Sequence, residues 1–88
     1  MRNRIFLYPD AGSDGRNYIT QKGTIEDLKR LEIELKDGEQ LPFYCDDADD
    51  AGRPDDMNFE GTVHFDDEAK QWYVLIKDGS YRLASINR

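Results

Sequence analysis

Apolar residues recur at every second position over several short stretches of this chain, the spacing of strands that bury one face. Residues 4–8 read as a first strand, ended by Pro9 and the turn-rich run Asp10-Ala11-Gly12-Ser13-Asp14-Gly15. Residues 17–21 form a candidate second short strand. Further on, Phe59, Gly61, Val63 and Phe65 alternate with Asn58, Glu60, Thr62 and His64, and Trp72, Val74 and Ile76 share one face of residues 71–77. Both read as half-buried antiparallel strands. A register pairing Phe65 with Trp72 sets His64 opposite Tyr73.

The period changes once. Thr24-Ile25-Glu26-Asp27 resembles a capping box, with Asp in place of the longer Glu or Gln, and predicts a helix start at Thr24. Ile25, Leu28 and Leu31 then share a helical face, and Glu26 and Arg30 stand at the favourable i, i+4 spacing. Gly38 offers a late C-terminal cap, but Ile33 falls on the wrong face of a longer helix. Leu31, Ile33 and Leu35 alternate instead with Glu32, Glu34 and Lys36, so a short helix followed by an extended segment is expected.

Two Asp-Gly pairs mark turns. Around Asp37-Gly38, a three-residue loop pairs Leu35 with Leu41 and Ile33 with Phe43, whereas a two-residue loop would mix apolar and charged faces. Residues 41–45 follow as a strand whose Pro42 cannot donate to a ladder, which places it at an edge or a bulge. Around Asp78-Gly79, a two-residue hairpin pairs Ile76 with Tyr81, Val74 with Leu83 and Trp72 with Ser85. The expected fold class is mostly β, a small SH3-like barrel of about five antiparallel strands with one short helix. The alternative is α+β, an open antiparallel sheet with the helix packed on it. No internal repeat or linker interrupts residues 1–88, which read as one small β-barrel-like domain.

The run Ile33-x-Leu35-x-Asp37-Gly38, with Leu41-Pro42-Phe43-Tyr44, Asp49-x-x-Gly52-x-Pro54, Gly61-Thr62-Val63 and Trp72-Tyr73-Val74, resembles short, acidic, uncharacterised bacterial proteins with an SH3-like barrel. The resemblance covers about half the chain through turn and core positions common to many barrels. It implies the fold and brings no activity with it.

Composition narrows the function classes. The net charge of −7 is uneven: between Glu26 and Glu68 stand 16 acids against Lys29, Arg30, Lys36 and Arg53, while both ends of the chain are slightly basic. Binding to a nucleic-acid backbone needs clustered Lys and Arg, so no direct nucleic-acid partner is expected. No stretch approaches the roughly 20 apolar residues of a membrane helix, and the first ten residues carry too short an apolar run for a signal peptide. A cytoplasmic protein without a membrane partner is expected.

Candidate chemistry is sparse. Cys45 and His64 are the only Cys and His, and alternation turns Cys45 inward with Phe43 and His64 away from Val63 and Phe65, which separates them as a catalytic pair. One Cys and one His do not make an ordinary zinc site. Within residues 46–56, Asp47-x-Asp49-x-Ala51-Gly52 matches an EF-hand loop at positions one, three and six, but Ala51 and Asn58 fail at five and twelve, which leaves at most a weak Ca²⁺ site of another kind. No phosphate-cradling loop is present. We therefore expect no enzyme, no cofactor and no metal.

Two surface features remain. Tyr8, Tyr44, Tyr73 and Leu75 sit on faces opposite the inferred core, and acids crowd residues 46–68. These imply a non-enzymatic protein-interaction or regulatory module, its partner bound through Tyr44, Tyr73, Asp46, Asp47, Asp49 and Asp50. The alternative is an acidic mimic of nucleic acid that occupies the groove of a basic protein.

Overall fold

The computed structural model describes residues 3–48 and 52–83, with the backbone alone for residues 47 and 48. Along them run β1 (Ile5–Phe6), β2 (Asn17–Tyr18), α1 (Lys22–Arg30), β3 (Gln40–Ala48), β4 (Pro54–Asp66), β5 (Gln71–Ile76) and β6 (Arg82–Leu83). The fold is mostly β with one short helix, as the periodicity implies. Its sheet is open and mixed rather than a closed antiparallel barrel: the order is β1-β3-β4-β5-β2, with β6 also on β4 and β1 parallel to β3. The ladder ends at β1 on one side and β2 on the other.

Alternation decides the core. Leu41, Phe43 and Cys45 of β3 face inward with Phe59 and Val63 of β4, Val74 of β5, and Ile5 and Leu7 from the β1 segment. Each such large apolar side chain contributes about 1.5–3 kcal/mol through burial. Leu28 of α1 and then Leu31, Ile33 and Leu35 pack against this cluster. The expected alternation at residues 31–36 therefore holds. The expected hairpin with β3 does not form, because β3 already has β4 on one side and β1 on the other. The Asp37-Gly38 turn does close, with Glu39 N–H donating to the Lys36 carbonyl. It then feeds β4 directly: Gly38 N–H donates to the Val63 carbonyl, and Val63 N–H to that of Glu39. The last bond makes odd-numbered residues of β3 the ones bonded to β4, so the Pro42 nitrogen faces the other side, just short of where β1 begins opposite Phe43.

Two local readings are corrected. The helix starts at Lys22, with Gln21 as its N-cap residue, and Thr24 lies inside it, fully buried. Thr24 and Asp27 are indeed neighbours on one helical face, but they cap a strand. The Thr24 hydroxyl donates to the Phe6 carbonyl at 2.6 Å, and the Asp27 carboxylate accepts from Phe6 N–H at 2.9 Å. One turn earlier, the Gln21 amide both donates to and accepts from the Tyr8 backbone at 2.8 Å. The i, i+3, i+6 stripe Gln21, Thr24, Asp27 thus satisfies the outer edge of the first strand segment.

The second correction concerns Asp78-Gly79. A turn forms, with Ser80 N–H donating to the Lys77 carbonyl, but as far as Leu83 the chain continues along β4 instead of folding back on β5, and Ser85, expected opposite Trp72, lies outside the described residues. Between the pairs Gly61↔Ile76 and Asn58↔Arg82, β4 advances three residues and the facing chain six. The surplus bulges out around buried Ser80, whose hydroxyl donates to Lys77 and accepts from Glu60 N–H. Within residues 46–56, read as a loop, residues 46–48 and 54–56 are strand, since β3 and β4 pair as far as Ala48↔Pro54.

Candidate functional site

The sheet register assembles a row of rings on the face away from the core. Tyr18 of β2 stands opposite Tyr73 of β5, and Tyr73 opposite His64 of β4. The Tyr18 and Tyr73 ring centroids lie 5.8 Å apart, those of Tyr73 and His64 5.7 Å. All three side chains are half-buried. The expected pairing of His64 with Tyr73 is present. Tyr18 was not linked to it in the sequence, because the β2 to β5 contact joins segments more than fifty residues apart, with no turn signal to announce it.

Charged groups hold the row in place. The Arg16 guanidinium lies over the Tyr73 ring, 4.6 Å from its centroid, and reaches Asp66 at 3.0 Å. The same Asp66 oxygen accepts the Tyr18 hydroxyl at 2.7 Å. The other oxygen of Asp66 accepts from Glu68 and Ala69 N–H, which fixes the turn between β4 and β5. These bonds lower the Asp66 pKa, the Tyr18 hydroxyl first and the Ala69 amide next, while its bond to Asp66 raises that of Tyr18. Tyrosine thus stays neutral as donor and aspartate ionised as acceptor. At the far end, His64 Nδ1 lies 3.4 Å from Asp37, whose carboxylate also accepts from Phe65 N–H.

The expected partner-binding residues fare differently. Tyr73 is central to the row. Tyr44 does project from the face opposite Phe43, but it is only 8% exposed. Phe6 packs edge-on against its ring at 5.7 Å, and its hydroxyl lies within 3.5 Å of Asp27, so it is withdrawn from any contact surface. Of the four acids, Asp46 is exposed and pairs across the ribbon with Asp56, and Asp47 pairs with Asp55 through the backbone. Asp49 and Asp50 lie outside the described residues, and the question of a Ca²⁺ site falls largely there. Cys45 is buried among the core side chains and His64 is on the other face. Among the described residues, no group of three His, Cys, Asp or Glu is placed to hold a metal ion, and no helix is long and apolar enough to cross a membrane.

Such an arrangement is suited to contact. It offers three half-buried rings on a sheet, a stacked cation and flanking carboxylates, with the Tyr18 hydroxyl and Asp66 already bonded to each other. No protein-family model, curated protein or solved structure matches the chain.

Proposed function

We propose that this chain is a small non-enzymatic protein-interaction module whose contact surface is centred on Tyr73. The observation that carries this reading is the Tyr18, Tyr73, His64 row, half-buried on the face away from the core and held by Arg16 and Asp66. Aromatic rings with few rotatable bonds lose little entropy on contact and dominate interface energetics. The row replaces Tyr44 and Tyr73 as the expected pair, since Tyr44 is covered.

The test is capture of partners from the source cell by the immobilised chain, followed by calorimetry with the recovered protein. Tyr73→Ala should weaken binding at least about tenfold while the variant keeps its folded spectrum. Binding unchanged by Tyr73→Ala and Tyr18→Ala would remove this surface from consideration.

A second reading, an acidic mimic that fills a basic groove, draws on the β3 to β4 ribbon, where Asp46 faces Asp56 and Asp47 faces Asp55. It expects binding that collapses with added salt and on joint replacement of Asp46, Asp47, Asp49 and Asp50 by Asn. The Tyr73-centred surface expects modest sensitivity to both.

A further inference from the structure

Beside the ring row, the excursion from β1 to α1 folds round a cleft of about 380 Å³, within the usual range of small-ligand sites. Tyr8, Asp10, Asp14, Arg16, Tyr18 and Thr20 are among the residues that line it. Its frame is already built. Asn17, only 4% exposed, accepts from Asp10 N–H and donates to the Val74 carbonyl, which pins the excursion to β5. Gln21 is doubly bonded to the Tyr8 backbone. The amides of both residues are therefore occupied in holding the walls.

The chemistry of the lining points to one class of guest. Tyr8 is 59% exposed and the Asp10 side chain is exposed, so a π-face and a carboxylate border the same space, while the Asp14 carboxylate accepts from Arg16 N–H at 3.0 Å and pairs with its guanidinium. Among the described residues the lining cation is Arg16, and it is engaged by Asp66, by Asp14 and by the Tyr73 ring. An anion would meet this acidic rim on a chain of net charge −7, and an apolar guest would leave the carboxylates desolvated. A cation on an alkyl stem satisfies both kinds of wall, its stem along the rings and its charge at the Asp10 carboxylate. We propose that the cleft receives a primary alkylammonium, supplied by a lysine side chain of the protein partner. This rests on the interaction-module reading and deepens it, since the cleft adjoins the Tyr73-centred surface through Arg16 and Tyr18.

The test is an NMR amide titration of the full chain with three probes: a lysine blocked at both backbone ends, the same compound acetylated at Nε, and cadaverine. Blocked lysine should shift the amides of Gly12, Gly15, Asn17 and Thr20 in a saturable manner, with a dissociation constant on the order of 1 mM. Asp10→Asn and Tyr8→Leu should each weaken that binding about threefold to fivefold with the rest of the spectrum unchanged. Both residues are outside the core, so folding is retained. Equal shifts from the acetylated compound, or indifference to Asp10→Asn, would overturn the assignment of an ammonium site. Cadaverine binding more than about tenfold tighter than blocked lysine would overturn the partner's lysine as its source in favour of a free diamine. If the titration fails while Tyr73→Ala still weakens partner binding, the cleft is overturned and the interaction surface stands. The reverse result overturns the surface alone.

Discussion

At the scale of single residues, two backbone positions carry costs that the sequence shows only in hindsight. A Cβ on Gly61 would lie 2.5 Å from Val74 Cγ1 and 3.2 Å from Phe43. Both neighbours are buried, and Val74 is branched and short, so neither yields freely. We expect Gly61→Ala to destabilise the fold by about 1–3 kcal/mol, read as a lower denaturation midpoint at unchanged slope. Period two identified Gly61 as an inward position, but its size follows from a neighbour on another strand. Glu32 is the opposite case. It follows α1 in the left-handed region at φ 56°. The Glu32 and Ile33 amides donate to Lys29 and Leu28, the paired bonds of a Schellman end. Glycine is the residue that fits this position, and Glu32→Gly should stabilise the protein by about 0.5–1 kcal/mol. Thermal unfolding would show it as a raised midpoint. The alternation of Leu31, Ile33 and Leu35 predicts a short helix without Gly38 as its cap, and no glycine marks the end; a glutamate takes the left-handed position and the chain turns so that Ile33 packs against the core.

At the scale of elements, local signals were legible and their partners were not. Asp37-Gly38 and Asp78-Gly79 both form turns, yet neither closes the hairpin inferred around it. A dipeptide sets the backbone of a turn, whereas the strand that receives the outgoing chain depends on which edges are vacant. β4 is 13 residues long and needs pairing along most of that length, so β5 and β6 share its one side. The same logic explains Thr24 and Asp27. Their i, i+3 spacing suits a capping box, but the backbone groups they bond are those of Phe6 in β1 rather than those of the helix end. If the Gln21, Thr24, Asp27 stripe does protect that edge, Thr24→Val, which keeps the shape and removes the hydroxyl, should cost about 1–3 kcal/mol. Hydrogen exchange gives a sharper reading: the amides of Phe6 and Tyr8 should lose protection in Thr24→Val while those of Val63 and Val74 change little. Uniform loss across the sheet would mean that Thr24 supports the core and not the edge.

At the scale of the whole molecule, the acidity and aromatic surplus visible in the composition translate into an open face organised by one carboxylate. Asp66 binds Tyr18 of β2 and the Arg16 that precedes it, and it closes the turn between β4 and β5, so a single charge joins the last strand of the sheet to its long central strand. Its lowered pKa and the raised pKa of Tyr18 set the pH window of this link. A carboxylate with a depressed folded pKa contributes stability that is present above its unfolded value, about 3.9, and is lost as pH falls through the depressed one. A tyrosine with a raised folded pKa contributes stability present below its unfolded value, about 10, and lost as pH rises through the raised one. The link should therefore hold from about pH 4 to about pH 10 and fail at both extremes. Denaturation of the wild type and Asp66→Asn from neutral pH to below the carboxylate range tests this. The gap between them should be widest near about pH 7 and close as pH falls through the depressed value of the carboxylate. The ring contacts of Tyr18 with Tyr73, followed by NMR, should loosen over the same interval. A gap that persists below the carboxylate range would show that the asparagine disturbs the turn at Glu68 and Ala69 rather than the bond to Tyr18, and would leave the ring row without its electrostatic anchor.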